Sequence, residues 1–182
     1  YAKNIFKKIN KIYKSKIKFN SYPKKINNTN EYKKIALSFK PDAAIVCVPD
    51  HLHYKITSFL LNQKIHCLVV KPLCDNLKDA IKLKNLANKN KVLGLVEFHK
   101  RLDEANVIIK NKIIKRQIGS LLYAITEFSQ KKIIPTKIFK TWSAKSNVFQ
   151  YLSVHYIDLI YFFTKFKPIK VQAWGQKEFL KS

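Results

Sequence analysis

The sequence predicts an α/β protein: part of a parallel sheet with helices packed over it, followed by the start of an α+β domain with a largely antiparallel sheet. Three observations carry this. Apolar runs at residues 43–48, 66–70 and 92–98 alternate with two stretches of helical periodicity, the strand–helix–strand–helix–strand order of a parallel sheet. Pro41, Pro49 and Pro72 punctuate those runs where strands and helices must end. After Phe98 the texture changes, with longer helices and strands that no longer alternate regularly. The expected domains are therefore 1–100 and 101–182.

Taken in order, Ile5, Ile9, Ile12 and Tyr13 give residues 2–13 a helical spacing, and residues 17–22 alternate like a short strand. Residues 28–31 (Asn-Thr-Asn-Glu) read as a capping box, with Tyr32, Ile35, Ala36 and Phe39 continuing the helix until Pro41 stops it. Residues 43–48 form a continuous apolar run, as in a strand buried on both faces. Ile56, Phe59 and Leu60 mark a helix ending near Gln63, and residues 66–70 are a second buried strand. Asn76 caps a further helix, with Asp79 at the capping-box position and Leu77, Ala80, Ile81, Leu83 and Ala87 as its apolar side. Residues 92–98 are the third strand of the unit.

Beyond it, a helix is expected over 102–118, ending near Gly119, and a strand over 121–129. A loop holding Pro135 spans 131–141. An apolar helix is expected over 147–163, with Leu152, Ile157, Leu159, Ile160, Phe162 and Phe163 as its core stripe, and a strand over 171–175.

Composition bounds the function. With 47% hydrophobic residues in 182, the chain has enough apolar surface to bury a core. The net charge of +25 would ordinarily suggest nucleic acid. Here Arg101 and Arg116 are the only arginines among 36 basic residues, and the lysines are spread over every segment. Arginine is the residue suited to bidentate phosphate and base contacts, so no specific nucleic-acid partner is expected. No apolar run approaches a bilayer-spanning length and no signal-peptide pattern opens the chain, so the expectation is a cytoplasmic protein without a membrane partner. Cys47, Cys67 and Cys74 form an odd set without a CxxC pair and read as buried, reduced thiols. No metal site is indicated, since His51 and His53 alone lack a ligand spacing.

The chemistry concentrates at strand ends. Ligands in open α/β sheets bind beyond the carboxyl ends of the strands. Three such ends carry unusual polar residues: Pro49-Asp50-His51-Leu52-His53, Lys71-Pro72, and Glu97-Phe98-His99-Lys100-Arg101. Parallel strands would set Pro49, His53, Lys71, Pro72 and Glu97 along one rim. A lysine directly after a buried strand is costly unless it has a task or a partner.

These segments resemble the glucose–fructose oxidoreductase and inositol dehydrogenase family (Gfo/Idh/MocA type). Its members carry Pro-Asn-x-x-His after one strand, as Pro49 to His53 do here with Asp50 for Asn. They carry Glu-Lys-Pro after the next, here Val70-Lys71-Pro72, and often an arginine after the following one, here Arg101. Later comes a helix with Gly-Val-His-x-x-Asp, here Ser153-Val154-His155-Tyr156-Ile157-Asp158.

The resemblance implies a partial Rossmann-type NAD(P)-binding domain and the start of a substrate and oligomerisation domain. It implies an enzyme that moves hydride from a hydroxyl carbon of a sugar, sugar derivative or polyol, with NAD or NADP as cofactor, and a homo-oligomer at full length. Lys71 and His155 are the implied catalytic residues. Pro49, Asp50, His53, Lys71, Pro72, Glu97 and Arg101 are the implied cofactor contacts, and Lys100, Trp142, Gln150, Tyr151 and His155 the implied substrate contacts. A base beside the hydroxyl is what alcohol oxidation needs, and a desolvated lysine beside a cationic cofactor has a lowered pKa.

Two departures bear on this. Val70 replaces the Glu before Lys71, and Tyr151 replaces an Asp four residues before His155. They open a second reading, a non-catalytic binding or regulatory member of the same fold. The chain contains no GxGxxG and no methionine. The expectation from the resemblance is that the first strand, the phosphate-binding turn and the ribose-binding acid precede Tyr1. Each site residue also has a plainer reading: Lys71 as a surface lysine, His155 as a helix histidine satisfied by backbone, Trp142 as packing, and Glu97 with Arg101 as an ordinary ion pair.

Overall fold

A computed structural model describes residues 2–20, 31–143 and 145–175. The chain divides into two compact units, residues 1–42 and 43–182.

In the first unit, α1 (Ala2–Ile12) and α2 (Glu31–Phe39) form where the apolar spacing predicts them. Residues 17–20 are not the expected strand. The side-chain amide of Asn10 takes both backbone groups of Ile17, accepting from its N–H at 3.1 Å and donating to its carbonyl at 2.9 Å. Phe19 stacks on Phe6 with ring centroids 4.2 Å apart. A residue whose backbone is satisfied by the preceding helix has nothing left to offer a ladder. Residues 21–22 and the capping-box residues 28–30 lie outside the described residues.

The second unit opens with a three-stranded parallel sheet in the order β1-β2-β3: β1 (Ala43–Val46), β2 (His66–Val70) and β3 (Gly94–Glu97). Val46 pairs with Val69, Val69 with Val96, and Val70 with Glu97, so the three carboxyl ends form one rim. The crossovers are α3 (His53–Asn62) and α4 (Leu77–Asn90). Right-handed crossovers set both helices on one face of the sheet. Val46, Cys67 and Val69 pack there with Leu60, Leu61, Leu83 and Ala87 as the core.

The expected burial of these strands on both faces does not hold. Ile45 is 58% exposed and Leu95 54%, because residues two apart share a face and this one carries no helix of the unit. Cys47 shares that face and is exposed, Cys74 is half-buried, and Cys67 alone is buried, its thiol pushed up to about 12 by burial.

Beyond β3 come α5 (Glu104–Ile114), α6 (Lys140–Ser143) and α7 (Val154–Thr164), with α5 and α7 in contact. The helix expected over 102–118 is shorter at both ends. A 3₁₀ turn occupies His99–Leu102, and Arg116 turns left-handed at φ 55°. The loop expected over 131–141 contains a π-helical turn, Ile134–Ile138, and the start of α6. A second such turn, Phe149–Ser153, leads into α7.

Neither 121–129 nor 171–175 forms a strand, so the antiparallel sheet is not present among the described residues. A strand is stabilised by a partner's ladder, and these segments find none there. Leu122, Tyr123 and Ile125 accordingly stay exposed. For the same reason the core stripe predicted for α7 is thin. Leu159 is buried, while Ile157 is exposed. No described helix is long and apolar enough to cross a membrane.

Candidate active site

Each strand end delivers its polar residues to the same rim. After β1 the chain passes through Pro49 into a 3₁₀ turn, Asp50–Leu52, that starts α3. The Asp50 carboxylate is only 3% exposed and accepts from Ser146 Oγ at 2.7 Å. His53, at 1% exposure, has both ring nitrogens against carbonyls: Nδ1 is 2.6 Å from the oxygen of Pro72 and Nε2 is 2.8 Å from that of Val48. It ties the turn after β1 to the turn after β2.

Lys71 and Pro72 follow β2 through a cis peptide bond. Lys71 Nζ donates to the carbonyl of Tyr151 and lies 4.2 Å from the centroid of that ring. Burial lowers the Lys71 pKa, and the carboxylates of Asp50 and Glu97 work against that lowering. So two carboxylates act on Lys71 although Val70 supplies none.

A short segment before and within α7 lies over this rim. His155, its second residue, is 4% exposed, and its Nδ1 is buried without a hydrogen-bond partner among the described residues. Burial is the main cause that brings its pKa down to about 4. The positive charges of Lys71, His99 and Lys100 add to this, and Asp158 opposes it. His155 is therefore neutral at pH 7, able to accept a proton or a hydrogen bond. Gln150 Nε2 donates to the carbonyl of Asp75 at 3.2 Å, and Lys100 Nζ lies 5.5 Å from the ring centroid of Tyr156. Trp142 falls in α6, and its side chain lies outside the described residues.

Lys71, Tyr151, His155, Asp50 and Glu97 thus come together. The ion pair read between Glu97 and Arg101 does not form. The turn His99–Leu102 carries Arg101 to α7, where its guanidinium grips Asp158 as a fork, Nε to Oδ2 at 2.7 Å and Nη2 to Oδ1 at 2.5 Å. Those bonds raise the Arg101 pKa. Glu97 pairs instead with His99, whose Nδ1 is 3.1 Å from its carboxylate.

Three contributors were not singled out as site residues in the sequence reading: Ser146, His99 and Asp158, although Asp158 closes the helical motif quoted there. The last two had a signal. Asp158 stands three residues after His155 on one helix face, and His99 stands two after Glu97 at a strand end. An apolar groove of about 410 Å³ runs between residues 124–128 and the segment 148–160, lined in part by Phe128, Leu152, Tyr156 and Ile160. It holds none of the titratable groups just described. Among the described residues no three of His, Cys, Asp and Glu cluster as metal ligands.

Residues 8–98 match the family model for an oxidoreductase family with an NAD-binding Rossmann fold, Gfo/Idh/MocA. The chain is 42% identical over 60 residues to the YceM protein of Salmonella typhimurium, covering 33% of this chain and 20% of that one. It is 25% identical over 127 residues to glucose-6-phosphate 3-dehydrogenase of Bacillus subtilis, covering 66% of this chain and 36% of the relative. An inositol dehydrogenase homolog from Azotobacter vinelandii, solved with NADH and myo-inositol, shares its fold. The TM-score is 0.61 at 22% identity, covering 67% of this chain and 32% of that one. The chain therefore spans between 20% and 36% of the length of these relatives.

Proposed function

Because this chain belongs to the Gfo/Idh/MocA oxidoreductase family, with its NAD-binding Rossmann fold, we propose that it serves an NAD(P)-dependent dehydrogenase. The substrate is a sugar, sugar derivative or polyol oxidised at a hydroxyl carbon. The observation that carries this is the meeting of Lys71, directly after β2, with Tyr151 in the turn that leads into α7 and so to His155. A lysine whose pKa burial lowers, so that its neutral amine can take a proton, and a neutral imidazole whose Nδ1 has no partner among the described residues suit the binding of a hydroxyl and removal of its proton.

The rim residues fit the nicotinamide end of such a cofactor, with Pro49, Asp50, Lys71, Pro72 and Glu97 lining it and His53 holding the turns that present them. Arg101 serves it through its hold on α7. The 182 residues include no glycine-rich turn to cradle a diphosphate. When bound, the cofactor accepts the hydride. The chain's own part is to orient the hydroxyl and take its proton. Lys71 is the proton acceptor in this reading. His155 holds the substrate oxygen, and Lys100, Trp142, Gln150 and Tyr151 lie on the substrate side. The division at about residue 100, a homo-oligomeric assembly and a cytoplasmic location belong to the same proposal.

The test is steady-state cofactor reduction by the full-length protein with a panel of sugars and polyols, for wild type and Lys71→Ala. Loss of general-base help costs about 10²–10⁴-fold, and because the base acts mainly in the transition state, kcat falls far more than KM rises. Near wild-type kcat in Lys71→Ala would remove Lys71 from proton transfer. One observation favours a second reading, a binding or regulatory member: the Lys71 ammonium is taken up by the Tyr151 carbonyl. Binding of a sugar-type ligand with no turnover of any panel member by the wild type would establish that instead.

A further inference from the structure

His99 takes no part in the reading above, yet it is the described histidine in ion-pair distance of a carboxylate. Its Nδ1 lies 3.1 Å from Glu97 Oε1, and its side chain is about half exposed. Its ring meets that of His155 edge-on, with centroids 4.5 Å apart and planes at 67°. Phe98 adds a second edge contact to His155, at 6.2 Å and 80°. Among the described residues His155 has no hydrogen bond on its buried Nδ1 to fix its orientation, and a buried ring without one is held by what packs on it.

We propose that His99, anchored on Glu97, is a positioning residue: its ring clamps the buried imidazole of His155 edge-on, and its charge acts on that imidazole across the contact. This rests on the rim being a site for alcohol oxidation only where activity is read. The groups facing His155 are Lys71 from the end of β2, His99 and Lys100 from the turn after β3, and Asp158 from its own helix. The Asp158 carboxylate is engaged by Arg101. The balance around His155 is thus cationic and favours its neutral form, which can accept a hydrogen bond. His99 is the member of that set in ring contact with His155. Glu97 keeps it there, so the strand end that presents Glu97 also sets the charge environment of a residue on α7.

The test is a histidine-selective NMR titration of the full-length protein, wild type against His99→Phe and His99→Gln. The first keeps an aromatic ring on His155 and removes the charge. The second removes both charge and ring contact. In both, loss of the His99 charge moves the His155 titration to higher pH. In His99→Phe the His155 resonance stays sharp, while in His99→Gln it broadens as the clamp is lost. A His155 titration that does not move in either variant overturns the proposal, whatever happens to activity. The same variants are assayed for cofactor reduction with the best panel substrate. There KM rises more than kcat falls, because His155 holds the substrate oxygen while Lys71 takes the proton. An NMR shift in a protein whose wild type turns over no substrate leaves the clamp standing and removes the dehydrogenase reading.

Discussion

Lys71 and Asp50 show how a single residue's environment is made. Lys71 was legible in the sequence, because a lysine directly after an apolar strand needs a reason to be there. Its electrostatic support was not. Val70 leaves the neighbouring position without a carboxylate, and the buried Asp50, 21 residues earlier in the chain, acts on Lys71 from the end of another strand. Asp50→Asn keeps an acceptor for Ser146 and removes the charge. The Lys71 pKa, already lowered by burial, falls further, so more of the lysine is in its neutral, proton-accepting form at a given pH. The expected outcome is that the rise of kcat with pH moves to lower pH in Asp50→Asn, read from pH–rate profiles. A profile that stays in place would show that Asp50 does not act on Lys71.

At the scale of elements, the start of α4 followed the rule of capping, the starts of α3, α5 and α7 carry no side-chain cap, and strands did not follow apolar runs alone. Asn76 caps α4 as its sequence predicts. Its Oδ1 accepts from the Asp79 N–H at 2.9 Å, and its Nδ2 donates to the Asp79 carboxylate at 2.9 Å. The other end of α4 was not legible, because a lysine does what glycine does elsewhere. Lys91 adopts φ 54° and ψ 43°, and Lys14, Lys40, Lys64, Arg116 and Lys165 are left-handed as well. A side chain in that region costs about 1 kcal/mol that glycine avoids. Lys91→Gly is therefore expected to stabilise the protein by about 1 kcal/mol, and Asn76→Ala to destabilise it by about 1 kcal/mol, both read from denaturant midpoints. A Lys91→Gly protein no more stable than wild type would show that the left-handed turn carries no strain. The described part of the strand expected at 17–22, residues 17–20, and the strands expected at 121–129 and 171–175 failed for a shared reason. Alternation or β-branching fits a residue to a strand, but a strand exists only where a neighbour accepts its hydrogen bonds.

Across the second unit as a whole, residues 146–158 are fastened to the rim at four points. Ser146 holds Asp50, Gln150 holds the Asp75 carbonyl, Tyr151 receives Lys71, and Asp158 receives Arg101. The Arg101 fork is the strongest of these. It is bidentate, and the Asp158 side chain is 9% exposed. Removing one partner leaves a nearly buried carboxylate unpaired, whereas removing both does not. Arg101→Ala is expected to cost about 1–3 kcal/mol in unfolding free energy, softened by the partial exposure of Arg101, and the double variant Arg101→Ala/Asp158→Ala to cost less than the single. A double variant at least as unstable as the single would mean that the pair is not the fastening it looks to be in the fold.

What the sequence determined by itself is the parallel sheet, the helices over it, and the row of strand ends at Pro49, Lys71 and Glu97. Apolar runs, helical periodicity and proline stops are local signals, and a parallel order turns them into one rim without further information. What the tertiary structure alone decided is which partner each polar group on that rim takes. Arg101 reaches Asp158 across 57 residues and Lys71 reaches Tyr151 across 80, while Glu97 turns to His99. Such pairings depend on how α7 is laid over the sheet, and a charge in sequence is equally compatible with every opposite charge that packing could bring near it.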